Sequence, residues 1–329
     1  MLATRIILFL LAIQLISVAA ARAVISAPHS GAGENPIAAK VNDRPIYFSQ
    51  LEPNITAALA RYKKYGANNL SEETRKQIQK VELERQVAYE LMAQAGERII
   101  DGDVEQKVDE SIKATHAADS KSEQSRTSLA TDLKNAEYRK QVRQQIYVDR
   151  YLQKQGLKDL RVPDAEMRKY YEQNKASFKE AESVKVSHIL IMLPKNPTSE
   201  EAAEARRKIE RIRQEVLSGK DFAELATQFS ACASAPSGGD LGYITHGYMP
   251  LEFDKVAFTL KVGDISDIVR TRHGFHIIKV IDRKPERIQE FGEVKAFIEK
   301  FLLTKAQAKW IEGLAETLKR EAKVEVYLK

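Results

Sequence analysis

Apolar and polar residues follow two different periods along this chain, and the change between them falls near Val184. Before that point, apolar side chains recur at helical spacing, most strongly over Leu70–Gly96, where Ser71 stands at the position of a helix N-cap. Two more amphipathic helices are predicted over Asp103–Thr115 and Leu129–Gln155. The first half of the chain is therefore predicted to be helical.

After Val184 the pattern changes to short apolar runs separated by turns. The run "VKVSHILIML" predicts a buried strand, and Thr198 and Glu201 have the spacing of a capping box at the start of a helix. The segments "LGYIT", "GDISDIVRT" and "GFHIIKVIDR" predict strands, the last two joined by a turn at Thr271–Gly274, and "PLEFDKVAFTL" predicts a short helix. This order leaves little room for crossovers, so we expect an antiparallel sheet with surrounding helices, a compact α+β unit.

The two ends of the chain each carry a candidate strand, "AAKVN" at 38–42 and "KVEVYL" at 323–328. A strand left alone exposes unpaired backbone groups, and a two-stranded hairpin is marginal by itself. We therefore predict that the C-terminal strand joins the N-terminal hairpin as a third strand. The long helix before it is predicted to pack on the N-terminal helices through Phe297, Phe301 and Trp310.

The first 23 residues, "MLATRIILFLLAIQLISVAAARA", combine Arg5, the apolar run Ile6–Val18 and small residues at the end. This pattern is typical of a secretory signal peptide and predicts an exported protein, in a bacterial periplasm by preference. The apolar run is shorter than the roughly 20 residues that a membrane span needs, but an uncleaved N-terminal anchor remains the alternative.

The 329 residues carry a formal net charge of +6, with acidic and basic residues interspersed rather than grouped. Such a distribution is typical of a solvated surface and argues against nucleic-acid binding. The chain holds one cysteine, Cys232, which therefore cannot form an internal disulfide. A lone cysteine is most often a small core residue. A thiol hydrolase or a Cys/His metal site would need an activated thiolate or closely paired ligands, and neither signature surrounds Cys232.

Three quoted segments together resemble the parvulin family of peptidyl-prolyl cis-trans isomerases: "SHILI", "FAELATQFSACASAPSGGDLGYITHGYMPLEFDKVAF" and "GDISDIVRTRHGFHIIKV". The match runs from Val184 to Arg283 with its elements in the same order. A signal peptide, a helical N-terminal region and a C-terminal helix after this unit further resemble the SurA/PrsA-type exported foldases. In those foldases the C-terminal segment returns to the N-terminal domain.

The resemblance implies an α+β protein. A helical chaperone-like domain, made of the N-terminal region plus the C-terminal helix and strand, would hold an inserted parvulin-like domain of antiparallel sheet and surrounding helices. The predicted divisions are a signal peptide at 1–23, a flexible lead-in at 24–36, a helical chaperone-like region at 37–163, a connecting helix at 164–183, the parvulin-type domain at 184–283, and the C-terminal helix and strand at 284–329.

The resemblance also implies which side chains face the substrate. The polar set is His188, Cys232, Thr271 and His276, and the proline-binding set is Leu241, Met249 and Phe253. Rotation about an X–Pro bond must break amide resonance, against a barrier of about 20 kcal/mol. Such a site needs an apolar cup for the proline ring and no bond to the enzyme, so no cofactor and no metal are expected. Met249 and Phe253 are four residues apart, a spacing that predicts one face of a helix.

The expected function is that of a peptidyl-prolyl cis-trans isomerase and folding chaperone for exported proteins. Its expected partners are unfolded or newly exported polypeptides that contain X–Pro bonds, with neither nucleic acid nor a small molecule as substrate. The alternative is a non-catalytic module that holds unfolded polypeptides and carries a vestigial parvulin unit. The presence of the matched pocket residues favours activity.

Overall fold

The computed structural model describes residues 35–64, 69–100, 102–118, 129 and 131–328. The predicted signal peptide and nearly all of the lead-in lie outside the described residues. The helices, labelled α1 to α9, are Glu52–Lys64, Glu72–Glu97, Val104–Ala118, Ala136–Lys154, Asp164–Gln173, Ser199–Leu217, Phe222–Phe229, Leu251–Thr259 and Phe291–Glu321. The strands, labelled β1 to β9, are Ile37–Val41, Arg44–Tyr47, Lys179–Glu180, Ser183–Met192, Asp240–Thr245, Val269–Thr271, Gly274–Lys284, Arg287–Ile288 and Val324–Val326.

The chain folds into two compact units. The first comprises the described residues up to Met167 together with 297–328, and the second comprises residues 168–296. The predicted fold class is confirmed: the protein is α+β, and helical regions precede and follow the antiparallel sheet domain along the sequence. In the described part of the chain, no helix combines the length and the apolar character that crossing a membrane requires.

A three-stranded antiparallel sheet joins the two ends of the chain in the first unit. Strand β1 is central, with β2 on one side and β9 on the other. Ala39 lies opposite Val326, and beyond this pair the Tyr327 N–H donates to the Ala38 carbonyl at 2.9 Å. The prediction that the C-terminal strand completes the N-terminal hairpin is confirmed. Its pairing satisfies backbone groups that β1 would otherwise expose.

Side-chain caps mark the start of two helices in the first unit, α2 and α4. Helix α2 starts after Ser71, whose hydroxyl accepts a hydrogen bond from the Thr74 N–H, as the sequence predicts. The single helix predicted over 129–155 is wrong, because α4 starts only after Asn135. The Asn135 side chain accepts from the N–H groups of Glu137 and Tyr138 and so competes with continuation of the preceding turn.

Helices α2 and α4 approach each other closely at Gly96. A Cβ atom at this position would lie 1.9 Å from the Tyr147 carbonyl oxygen, so the crossing requires glycine. Helix α9 packs on the same pair of helices through Trp310, which confirms that part of the prediction. Phe297 is instead 63% exposed, while the neighbouring Ile298 is fully buried.

The second unit is built on a four-stranded antiparallel sheet in the order β5-β4-β7-β6. Strand β4 is the one predicted from "VKVSHILIML", and β6 and β7 form the predicted hairpin with Thr271 opposite Gly274. Because side chains alternate along a strand, the sheet separates two cores. On β7, Ile277 packs towards α6 and α7, and Ile278 packs towards α8 on the opposite face.

A short two-stranded sheet, β3 with β8, lies where the chain enters and leaves the second unit. Glu180 is paired with Arg287, whose guanidinium also donates two hydrogen bonds to Glu293, of 2.7 and 2.8 Å. In addition, the Tyr171 hydroxyl donates to the Gln289 carbonyl at 2.8 Å. These contacts lie outside 184–283, and we therefore propose 168–296 as the folding unit.

Candidate active site

Two histidines on neighbouring strands form the centre of the candidate site. In the register of β4 with β7, Leu190 lies opposite His276 and His188 lies opposite Ile278. His188 and His276 are thus diagonal neighbours on one face of the sheet, a geometry in which long side chains can meet. Their rings stack with centroids 5.5 Å apart, and their Nδ1 atoms lie 3.2 Å apart.

Thr271 extends this contact to the edge strand. Its Oγ1 lies 2.8 Å from Nε2 of His276 and accepts a hydrogen bond of 3.1 Å from the His273 N–H. The hydroxyl, the two imidazoles and the backbone donor form a continuous chain. All three side chains, those of His188, Thr271 and His276, are at least 95% buried.

Burial keeps both histidines neutral near pH 7. It lowers the pKa of His188 to about 4. Burial, together with the charges that His188 and His273 would carry, lowers the pKa of His276 to about 3. Nε2 of His188 is buried and has no hydrogen-bond partner among the described residues, a situation that costs about 1–3 kcal/mol. The chain of hydrogen bonds therefore ends at Nε2 of His188, a buried polar atom that has no partner among the described residues.

The apolar wall of the site comes from α8 and the turn before it. Phe253 is fully buried and meets both imidazoles edge to face, with centroids 5.7 Å from His188 and 5.5 Å from His276. Leu241 and Met249 are only partly buried and pack against the same core cluster. The structure thus brings together the three residues that were predicted to bind proline, and it leaves Leu241 and Met249 partly exposed.

Met249 does not share a helical face with Phe253, and this part of the prediction is wrong. Helix α8 begins at Leu251, with Pro250 as its N-cap residue at φ −53° and ψ 145°. A residue before proline is disfavoured in the helical conformation, which excludes Met249 from α8. Met249 reaches the cluster from the β5–α8 turn instead.

Cys232 lies in the loop that runs along β4 beside His188. This loop is tied to the strand by three hydrogen bonds: from Leu190 N–H to Ser230 Oγ at 3.1 Å, from Ala231 N–H to the Leu190 carbonyl at 2.8 Å, and from His188 N–H to the Gly239 carbonyl at 2.9 Å. The thiol is free and partly exposed. It makes no hydrogen bond to either histidine in the part of the chain that the structure describes.

Two glycines let the backbone come close enough for this arrangement. At Gly239, with φ +77°, a Cβ atom would lie 2.2 Å from the His188 carbonyl oxygen. At Gly274, with φ +143°, it would lie 2.1 Å from the Ile191 carbonyl oxygen. Any side chain at these positions would clash with β4 in a backbone conformation that L-residues rarely adopt. The glycines therefore fix the loop of Cys232 and the hairpin of Thr271 against the central strand.

Two residues beside the site were missed by the sequence reasoning. Asp254 is 7% exposed, and its Oδ2 lies 3.1 Å from Nδ1 of His246. A carboxylate in the first turn of a predicted helix is common because it suits the helix dipole, so the sequence offered no reason to single out Asp254.

Among the described residues, no group of three His, Cys, Asp or Glu side chains is placed to hold a metal ion.

Comparison with known proteins identifies one domain family and several relatives of this chain. A family model described as Rotamase, the PPIC-type PPIASE domain, matches residues 188–282. The foldase protein PrsA of Caldanaerobacter subterraneus is 36% identical over 190 residues, which cover 57% of this chain and 56% of that protein. The foldase protein PrsA of Clostridium botulinum is 29% identical over 311 residues, with 88% of each chain covered.

A solved structure from Campylobacter jejuni, described as one of two structurally related SurA-like chaperones, also matches this chain. The match covers 88% of this chain and 99% of the Campylobacter chain at 22% identity, with a TM-score of 0.43. The chain spans 56% to 61% of the length of three PrsA proteins that it matches at 35–36% identity.

The second unit therefore contains a PPIC-type parvulin domain, and the resemblance found in its motifs is confirmed. Over most of its length the chain is similar to the foldase protein PrsA of Clostridium botulinum and to the chaperone SurA of Chromohalobacter salexigens.

Proposed function

We propose that this chain is a parvulin-type peptidyl-prolyl cis-trans isomerase that assists the folding of exported proteins. The observation that carries the proposal is the buried chain of His188, His276 and Thr271 beneath the accessible apolar set of Leu241 and Met249. This combination of a buried polar floor and an apolar cup matches what rotation about an X–Pro bond requires.

The reaction needs no covalent intermediate. In the planar ground state, resonance separates charge between the carbonyl oxygen and the nitrogen, and this resonance accounts for a barrier of about 20 kcal/mol. The twisted transition state has lost much of that charge separation, so an apolar, desolvated site favours it over the ground state. Catalysis then arises from stronger binding of the transition state than of the substrate.

Each residue has a role in this proposal. Met249, Leu241 and Phe253 bind the proline ring, with methionine adapting to its shape and phenylalanine supplying a flat wall. His188, His276 and Thr271 form a neutral polar floor whose hydrogen bonds are set before substrate arrives. Cys232 is a polar group at the rim of the site and not a nucleophile.

The proposed substrates are unfolded or newly exported polypeptides with X–Pro bonds. Similarity to proteins named foldase and chaperone supports this class of partner. The signal-peptide pattern of residues 1–23 supports export, and a bacterial periplasm is the proposed compartment.

Two assays run side by side on the same preparation test the proposal. Magnetization-exchange NMR on an X–Pro tetrapeptide measures isomerisation, and light scattering of a denatured client protein measures suppression of aggregation. We expect accelerated isomerisation. Suppression without any acceleration would instead support the non-catalytic holding module, and absence of both would reject the foldase assignment.

A further inference from the structure

The turn from His246 to Pro250 connects β5 to α8 and carries Met249 into the candidate site. Gly247 adopts φ +80° in this turn, and its N–H donates to Oδ2 of Asp254 at 3.3 Å. The same carboxylate oxygen lies 3.1 Å from Nδ1 of His246. One buried side chain on α8 therefore holds two consecutive residues of the turn.

The imidazole of His246 is held on three sides. It stacks on Phe258 with centroids 3.6 Å apart and planes inclined by 24°. Besides its contact with Asp254, its Nε2 lies 3.7 Å from a carboxylate oxygen of Glu182. The ring thus connects the start of the turn to α8 through both stacking and polar contacts.

The opposite end of α8 is fixed as well. Arg283 of β7 donates to the Phe258 carbonyl at 2.9 Å and to the Leu260 carbonyl at 2.7 Å, which satisfies carbonyl groups that the end of a helix leaves unpaired. The same guanidinium is ion-paired with Glu182. With α8 held by the sheet at its C-terminal end, Asp254 can act as a rigid anchor for the turn at the other end.

The position of Met249 depends on this anchor. Because α8 begins only at Leu251, no intrahelical hydrogen bond fixes Met249. Asp254 itself pays a cost, since its Oδ1 is buried with no hydrogen-bond partner among the described residues. We propose that Asp254 is a positioning residue, which holds the His246–Pro250 turn so that Met249 meets the proline ring of the substrate. This inference rests on the proposed isomerase function.

The test compares four forms of the full chain: wild type, Asp254→Ala, Asp254→Asn and the matched control Asp267→Ala. Asp267 is a carboxylate of the same unit, but it is 95% exposed and paired with Arg213. The first readout is hydrogen exchange of the Gly247 amide by NMR, which needs no catalytic activity. The second is the separation of KM from kcat for an X–Pro tetrapeptide.

In Asp254→Ala, exchange of the Gly247 amide should accelerate and KM should rise, each by about tenfold, while kcat stays within about twofold. A contact that grips the proline ring equally in the ground and transition states changes KM and leaves kcat alone. Asp254→Asn keeps an oxygen that can accept from Gly247, so it should restore both values to within about threefold. Asp267→Ala should match wild type.

Faster amide exchange with unchanged KM would overturn the positioning role, and so would an equal rise of KM in Asp254→Ala and Asp254→Asn. Should Asp254→Ala fail to fold, His246→Ala replaces it, because that side chain is 59% exposed. An unchanged KM in His246→Ala would also contradict the inference. If wild type does not isomerise the peptide, the proposed function fails, and unaltered Gly247 exchange in Asp254→Ala would separately reject the anchor.

Discussion

The Nδ1 atoms of His188 and His276 lie 3.2 Å apart, and both rings are almost completely buried. When both rings are neutral, only one of the two facing nitrogens carries a proton, and charging the ring that accepts would set two N–H groups against each other. This geometry and the low pKa values of about 4 and about 3 lead to the same conclusion. The floor of the site consists of two neutral imidazoles.

This pair predicts how the stability of the second unit depends on pH. Both folded-state pKa values lie below the usual histidine value of about 6.5, so the unfolded state binds more protons as the pH falls. The free energy of unfolding should be full above about pH 6.5. It should decrease as the pH falls towards the folded-state values, by at most about 1.4 kcal/mol per pH unit for each histidine.

Urea unfolding of the full chain at several pH values, followed through the amide NMR signals of β4 and β7, measures this dependence. The variant His276→Gln should show a shallower decrease because one of the two buried histidines is gone. Equal slopes for wild type and variant would contradict the assignment of the acid sensitivity to this pair.

Met249→Ala should lower kcat/KM by about tenfold or more, because it removes the adaptable part of the proline-binding set. Met249 is only partly buried, so the variant should stay folded. Phe253 is unsuitable for this test, since replacing so buried a ring with alanine costs about 3–5 kcal/mol of stability. The matched control is Met192→Ala, which changes a methionine that is 55% exposed and should leave kcat/KM within about twofold. Equal activities of the two variants would rule out the assigned pocket.

Cys232→Ser should keep kcat/KM within about threefold of wild type. The thiol is partly exposed and lies outside the hydrogen-bond chain of the two histidines, so a hydroxyl can replace it as a polar group. A nucleophile would behave differently, since its removal costs on the order of a thousandfold or more. Near-complete loss of activity in Cys232→Ser would contradict the role of Cys232 as a replaceable polar group.

Deletion of residues 323–329 should destabilise the first unit and leave the second unit unchanged. The deletion removes β9 and exposes the backbone groups of β1 that pair with it. Trp310, the only tryptophan in the sequence, is partly buried and packs against a core cluster of the first unit, so its fluorescence reports the melting of that unit. We expect a fall of several degrees in the midpoint of this transition. An unchanged midpoint would mean that β9 contributes nothing to the unit.

A fragment of residues 168–296 should be more stable than one of residues 184–283. The longer fragment keeps the β3–β8 pair, the ion pairs of Arg287 and the Tyr171 hydrogen bond to Gln289. Urea unfolding of both fragments provides the comparison. Equal midpoints would show that the shorter range is already the complete folding unit.

The strands of the second unit could be predicted from the sequence because each apolar run is bounded by turn residues. The partner of β9 could be predicted for a different reason, namely that a single strand cannot remain unpaired. The seven site residues came from motifs that agree jointly, since no single histidine or cysteine carries that information. His188 alone, in an apolar strand, would be a core residue by default.

Local competition and long-range contacts account for what the sequence did not reveal. Periodicity continued through Asn135, but its side chain caps a new helix there. The spacing of Met249 and Phe253 is helical, yet Pro250 places the first of them outside α8. The bond between Asp254 and Gly247 depends on a turn whose path no pattern in the chain specifies.

The most direct test of the central claim is the cis–trans exchange rate of an X–Pro tetrapeptide, measured by magnetization-exchange NMR with a catalytic amount of the full chain. Uncatalysed exchange takes tens to hundreds of seconds at 25 °C. With a catalytic amount of wild type, we predict exchange cross peaks between the cis and trans signals of the peptide at a mixing time of about a second. With Met249→Ala, most of this acceleration of the exchange should be lost. An exchange rate with wild type equal to that of the peptide alone would contradict the account.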